Sequence, residues 1–278
     1  MSEEDLIART PEPATIASLT AELRELGVEP GMTVLVHSSL RALGWVSGGP
    51  VAVVQALMDA VTPAGTLVMP AHSANLSDPA GWVNPPVPLS WVAVIRATMP
   101  AYDPRTTPTY SIGRIAESFR TWPDVVRSAH PLSSFAAWGK GAPAIVEGHT
   151  LADSLGETSP LARLYDRDAA VLLLGVGHGV NTSFHLAEYR AGHAALGMQS
   201  APVRDEQGQR VWTTFEDIVL DDDPFALLGV EFERAQPTGV RLGRVGLADA
   251  RLFSQRAAVD YAVLWLRRRR AVSALDLT

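Results

Sequence analysis

The chain has 278 residues, 47% hydrophobic and 19% charged, with a formal net charge of −7 and no cysteine. This is enough apolar material for a sizeable core in one or two globular domains, and the negative charge argues against nucleic acid as the main ligand. The absence of cysteine removes disulfides, thiolate metal sites and cysteine-bound acyl intermediates, and no uncharged apolar run approaches the roughly 18 residues of a membrane span.

The start, Met1-Ser-Glu-Glu-Asp, is acidic and does not read as a secretory signal, so a cytoplasmic location is expected. Leucines at 19, 23 and 26 predict an amphipathic helix over Thr15–Leu26 that stops at Gly27. A strand over Met32–Val36 follows and delivers His37-Ser38-Ser39-Leu40 at its C-terminal end. Pro50 opens a helix to Val61, and Thr66–Met69 is a second strand ending at Pro70. This β-α-β order implies a parallel pair with a right-handed crossover.

Ala71 to Thr109 changes character, with seven prolines, Trp82 and Trp91, and only Trp91–Met99 helical. A loop this long in a compact domain usually serves function, as a lid or binding wall. Gly113–Thr121 is helical again. Arg127-Ser128-Ala129-His130-Pro131 and Ser133 are polar and short of regular pattern. Lys140–Glu147 is a weak helix, and Ser159-Pro160 starts a short one to Tyr165.

The stretch from Val171 to Glu188 organises the rest. Val171–Leu174 is an interior strand, Gly175, Gly177 and Gly179 turn the chain, and Asn181 or Thr182 caps a helix. His185 and Glu188 lie three apart on that helix, hence on one face. Beyond it, Ala201–Arg204 and Gln209–Phe215 form a hairpin, Leu227–Arg234 a weak helix, and Ser254–Arg270 the last helix. The fold class expected is α/β: a mixed, largely parallel central sheet flanked by helices, with a loop-rich insertion and a C-terminal α+β extension, all in one domain.

A strand end, a glycine turn and a helix start form a natural place for chemistry. His185 beside Glu188 suits general-base work, since a carboxylate holds the imidazole and stabilises its cation. Free helix N–H groups after the glycines suit an anion or oxyanion. His37-Ser38-Ser39 and Arg127-Ser128 add donors suited to phosphate or amide groups. The acidic residues Glu216, Asp217 and Asp221 to Asp223 suit a cationic substrate. Two other chemistries stand beside this one. His178, His185 and Glu188, joined by His72, are candidate metal ligands, although the spacing lacks the zincin pattern. Ser38 or Ser39 with a histidine is a candidate hydrolase pair, although Gly-x-Ser-x-Gly is absent.

His37-Ser38-Ser39-Leu40, Met69-Pro70, Arg127-Ser128-Ala129-His130-Pro131 with Ser133, Ser159-Pro160, and Asn181-Thr182-Ser183-Phe184-His185-Leu186-Ala187-Glu188 occur in that order. Together they resemble the aminoglycoside 3-N-acetyltransferase family, from about Thr15 to the last helix. The resemblance implies acetyl transfer from acetyl-CoA to the 3-amino group of a 2-deoxystreptamine antibiotic, without a metal, on a fold peculiar to that family. It implies His185 as general base; on the chemistry of the residues, Glu188 assists it, and backbone N–H groups or a hydroxyl such as that of Thr182 stabilise the oxyanion. His37, Ser38, Ser39, Leu40, Arg127, Ser128, His130 and Ser133 are then expected on the CoA side, and Glu188, Glu216, His72 and Asp78 on the antibiotic side. Gly179 departs from the family pattern, which carries an acidic residue at that place in many members. Acylation of another amine, and a non-enzymatic binding protein, remain as further readings.

Overall fold

A computed structural model describes residues 2–192 and 194–275, with the backbone alone for 270–275. In chain order the elements are α1 (Glu3–Ala8), α2 (Ile16–Leu26), β1 (Thr33–Ser38), α3 (Gly49–Val61), β2 (Thr66–Pro70), α4 (Leu89–Thr98), α5 (Arg114–Arg120), β3 (Val126–Arg127) and β4 (Phe135–Gly139). They continue with α6 (Ala142–Val146), α7 (Pro160–Asp166), β5 (Ala170–Leu174), α8 (Ser183–Ala191), β6 (Leu196–Arg204), β7 (Arg210–Ile218), α9 (Phe225–Ala235), β8 (Val240–Val245), β9 (Ala248–Ser254) and α10 (Gln255–Leu275).

Seven strands form one sheet in the order β3-β4-β2-β1-β5-β9-β8, and β6 pairs with β7 alone. The mixed α/β class holds, with one correction. Parallel pairing is confined to β1 with β2 and β1 with β5, and the other four neighbour pairs are antiparallel. The cause is the short connections within β3-β4 and β8-β9, which can join only antiparallel neighbours. Both hairpins dock on the edges of the parallel core in the reverse direction.

The core strands alternate strictly between two helical layers. Val34, Val36, Leu67, Met69, Leu172 and Leu174 meet α2, α3 and α5 on one face. Leu35, Val68, Val171 and Leu173 meet α6 to α10 on the other. Both faces are covered, so these strands read as continuous apolar runs. Thr15 caps α2 by accepting the Ser18 N–H, and Gly27 ends it at φ 109°. A third, smaller apolar cluster joins the insertion to the β6-β7 hairpin through Leu76, Tyr102, Leu132, Ala201 and Phe215. Among the described residues no helix is long and apolar enough to cross a membrane.

Candidate active site

The three parallel strands all end on one side of the sheet. β1 contributes His37 and Ser38, the residues after β2 contribute His72, and β5 runs into Gly175. Since β2 and β5 flank β1, the connections leave it in opposite directions, and a crevice opens at the carboxyl ends. There a cavity of about 830 Å³ is lined by His37, Ser38, Ser39, Leu40, His72 and Thr182, together with Trp45, Pro50 and the start of α5. Six of the residues singled out from the sequence are thus gathered around one space.

Gly175 makes the turn above β5 possible. Its φ is +70°, and a Cβ there would lie 2.3 Å from the Cβ of Ala42. Gly177 and Gly179 carry no such demand, since a Cβ on either would meet nothing within 4 Å. Asn181, not Thr182, caps α8: its Oδ1 accepts the Ser183 N–H at 3.2 Å. Thr182 already has helical dihedrals and makes no capping bond. Its Oγ1 lies 3.3 Å from His37 Nε2 instead.

One turn further on, His185 Nδ1–H donates to Glu188 Oε2 at 2.5 Å. The Glu188 Oε1 accepts the Asp221 backbone N–H at 3.0 Å. The carboxylate is therefore fixed at both oxygens, and the imidazole is fixed by the carboxylate. The Phe225 ring packs on the imidazole at 4.7 Å between centroids. The His185 side chain is 13% exposed and that of Glu188 7%. With Nδ1 committed, Nε2 is the ring nitrogen that can take a proton. His185 and Glu188 are not among the residues that line the cavity; the lining comes nearest to them in sequence at Thr182, just before α8. Burial is the main cause that pulls the imidazoles of His37 and His72 down to about 3, with the neighbouring His185 a lesser one. They are neutral at physiological pH, and the buried His72 Nε2 has no partner among the described residues.

The remaining sequence candidates lie elsewhere. Arg127 is buried behind the insertion, where its guanidinium donates to Ser134 Oγ, Ser73 Oγ and the carbonyls of Ala71 and Thr107. The Ser128 hydroxyl accepts the Phe135 N–H and meets His149 Nδ1 at 2.9 Å. His130 Nδ1 accepts the N–H groups of Leu132 and Ser133, and its ring stacks on His149 at 4.9 Å. Arg127, Ser128, His130 and Ser133 are absent from the cavity lining. Their donors and acceptors tie the insertion to β3 and β4. Arg127→Met should accordingly strand buried carbonyls, cost about 3 kcal/mol and lower the Tm by on the order of 10 °C. An unchanged Tm with a raised KM for acetyl-CoA would instead return Arg127 to a ligand role.

Asp78 accepts two N–H groups of Arg96 and that of Ala80. Glu216 stands exposed on β7. His178 packs among Phe184, Phe232 and Phe253 and meets Glu233 Oε1 at 2.9 Å. Among the described residues no three His, Asp or Glu side chains are grouped around a space for an ion.

Sequence reasoning missed three contributors. Asp221 was noted for its charge, yet it acts through its backbone N–H. Phe225 carried no signal before the fold placed it. The helix α1 covers the cavity with Ser2, Glu3 and Leu6. Its signal was in the sequence: Ser2 and Asp5 form a capping box, each side chain bonded to the other's N–H.

The sequence family described as aminoglycoside 3-N-acetyltransferase matches residues 35–267. The SPbeta prophage-derived aminoglycoside N(3')-acetyltransferase-like protein YokD of Bacillus subtilis is 48% identical over 261 residues, 94% of this chain and 95% of that protein. Its crystal structure superposes with a TM-score of 0.94 at 46% identity, covering 96% of this chain and 98% of the other. AAC-IIIb, solved as a binary complex with CoASH, is similar at a TM-score of 0.81 and 31% identity, over 93% of this chain and 98% of the other. AAC-VIa bound to sisomicin gives 0.81 and 34%, over 93% and 99%. The chain belongs to the aminoglycoside 3-N-acetyltransferase family.

Proposed function

We propose that this protein transfers the acetyl group of acetyl-CoA directly to the 3-amino group of 2-deoxystreptamine aminoglycosides, with His185 as the general base. The observation that carries this reading is the imidazole of His185, held at Nδ1 by a fixed carboxylate on the helix that follows the cavity-lining Thr182, with Nε2 left to act. Support also comes from solved members of the family: one holds CoASH and another sisomicin.

An aminoglycoside amine is largely protonated near neutral pH and cannot attack. His185 Nε2 removes one proton, and Glu188 stabilises the imidazolium that results. The amine lone pair then forms the C–N bond at the thioester carbonyl. As the tetrahedral centre collapses, the C–S bond breaks, its electron pair leaves on the CoA sulfur, and the second amine proton passes to that sulfur, which gives a neutral amide and CoASH. The Thr182 hydroxyl donates to the oxyanion in between. Acetyl-CoA takes the cavity, with His37 to Leu40 along its wall, and His72 Nε2 supplies an unused polar atom to the bound ligands. Arg127, Ser128, His130 and Ser133 serve the donor from behind, by holding the insertion in place. Ammonium groups of the antibiotic meet the exposed Glu216, and the buried Glu188, held by His185 and the Asp221 N–H, attracts them by its charge without contact. Asp78 joins them only by giving up Arg96.

Release of CoA should depend on the presence of an aminoglycoside, and NMR of the product should locate the acetyl group on N3. Acetyl-CoA consumption at the same rate without an amine, or no release with any aminoglycoside of a broad panel, would overturn the reading.

A further inference from the structure

We infer that His37 is a positioning residue: its Nε2–H donates to the Thr182 hydroxyl and thereby aims the hydroxyl proton at the acyl oxygen in the cavity. The inference rests on the proposed role of Thr182 as an oxyanion donor, and it assigns to His37 a task other than holding CoA.

The geometry begins with the sheet. β1 and β5 are parallel neighbours, with His37 in register with Leu173 and Ser38 with Leu174. The residues that follow β5 therefore fold back over the end of β1, and the Ser39 N–H donates to the Leu174 carbonyl at 2.9 Å. Thr182 comes down onto His37 from this side, and both side chains line the cavity. They are 9% and 6% exposed. The helix does not need the hydroxyl, because Asn181 performs the capping. Thr182 Oγ1 is left with His37 Nε2 at 3.3 Å and with the cavity itself.

Two proton arrangements fit this contact. In one, the hydroxyl donates to Nε2 and has nothing to offer the cavity. In the other, Nε2–H donates to the hydroxyl oxygen, and the hydroxyl proton is free to point at the ligand. Growth of negative charge on the acyl oxygen selects the second, since a donor chain from imidazole through hydroxyl to oxyanion polarises each link. Apo contacts of this kind are often long and tighten in the transition state. The same pair resembles a nucleophile and its base, but His37, held near 3 by burial, is too weak a base to activate a threonine. A neutral donor relay is the use that remains.

The test is a double-mutant cycle in kcat, measured with acetyl-CoA and a good aminoglycoside. Thr182→Val should lower kcat about a hundredfold, and His37→Ala about tenfold. Adding His37→Ala to Thr182→Val should change nothing further, because the relay has already lost its end. His37→Gln keeps an N–H at matching reach and should return kcat to within about threefold of wild type. KM for acetyl-CoA should rise far less than kcat falls, since His37 is one of several residues along the cavity wall. If His37→Ala fails to fold, Gln against Met asks the same question at similar size. Equal losses from His37→Ala in both backgrounds, or a raised KM with unchanged kcat, would sink the relay and leave Thr182 standing. An undiminished kcat in Thr182→Val would overturn both.

Discussion

His185→Ala should lose about a thousandfold in kcat, roughly 4 kcal/mol of barrier, with KM for acetyl-CoA little changed. Two things make the loss large. The substrate is a cation that cannot attack until it gives up a proton, and the imidazole that takes the proton is pre-set by bonds to Glu188 and from there to Asp221. Glu188→Gln should be the milder lesion, about tenfold to a hundredfold, because a neutral amide still orients the ring but stabilises its cation less. A control separates chemistry from packing. If His185 acts only by deprotonating the amine, the alanine variant should recover as the pH rises, since free amine then reaches the site unaided. Its kcat/KM should climb with pH more steeply than that of wild type. A loss under tenfold, or a large loss that no rise in pH relieves, would remove His185 from the role of base.

What the sequence disclosed, and what it withheld, has physical causes. β1, α3, β2, β5 and α8 were legible because buried parallel strands are unbroken apolar runs and their turns carry Gly and Pro. β4 was not, because Phe135-Ala-Ala-Trp-Gly139 is short and its alanines favour no strand period. Missing that hairpin, and the β8-β9 hairpin at the other edge, is what made the sheet read as largely parallel. The pairing of His185 with Glu188 followed from helical spacing alone. The place of Arg127 did not. A run of donors in a sequence does not say whether its acceptors are a ligand's phosphates or the chain's own carbonyls, and here the carbonyls of Ala71 and Thr107 take them. Thr182 was read as a cap or a hydroxyl donor. Only the fold, by setting Asn181 to the first task, frees Thr182 for the second.

The protein should lose several kcal/mol of stability between pH 7 and pH 5, before its carboxylates begin to titrate. Burial is the main cause that holds four histidines neutral in the fold: His37, His72 and His149 at about 3, and His130 at about 4. In the unfolded chain each takes up a proton near 6.5. Where the unfolded state binds more protons, stability rises with pH; it is present above 6.5 and drains away as the pH falls toward the folded values. At pH 5 the full response of one such histidine is about 2 kcal/mol. Half the combined response of four is still about 4 kcal/mol, a large share of the roughly 5–15 kcal/mol that holds a domain together. Carboxylates with lowered values, Glu117 among them, add their own losses only below about pH 4.5. Urea unfolding at pH 7.5, 6 and 5 without ligands measures the slope directly. His149→Gln should flatten that slope by about one proton's worth even as it lowers the midpoint, because its pair with Ser128 and stack on His130 are structural. A stability that stays within 1 kcal/mol across the range would mean that these rings are hydrated in solution. The cavity wall would then be wetter, and His37 free to titrate, which is incompatible with a neutral relay to Thr182.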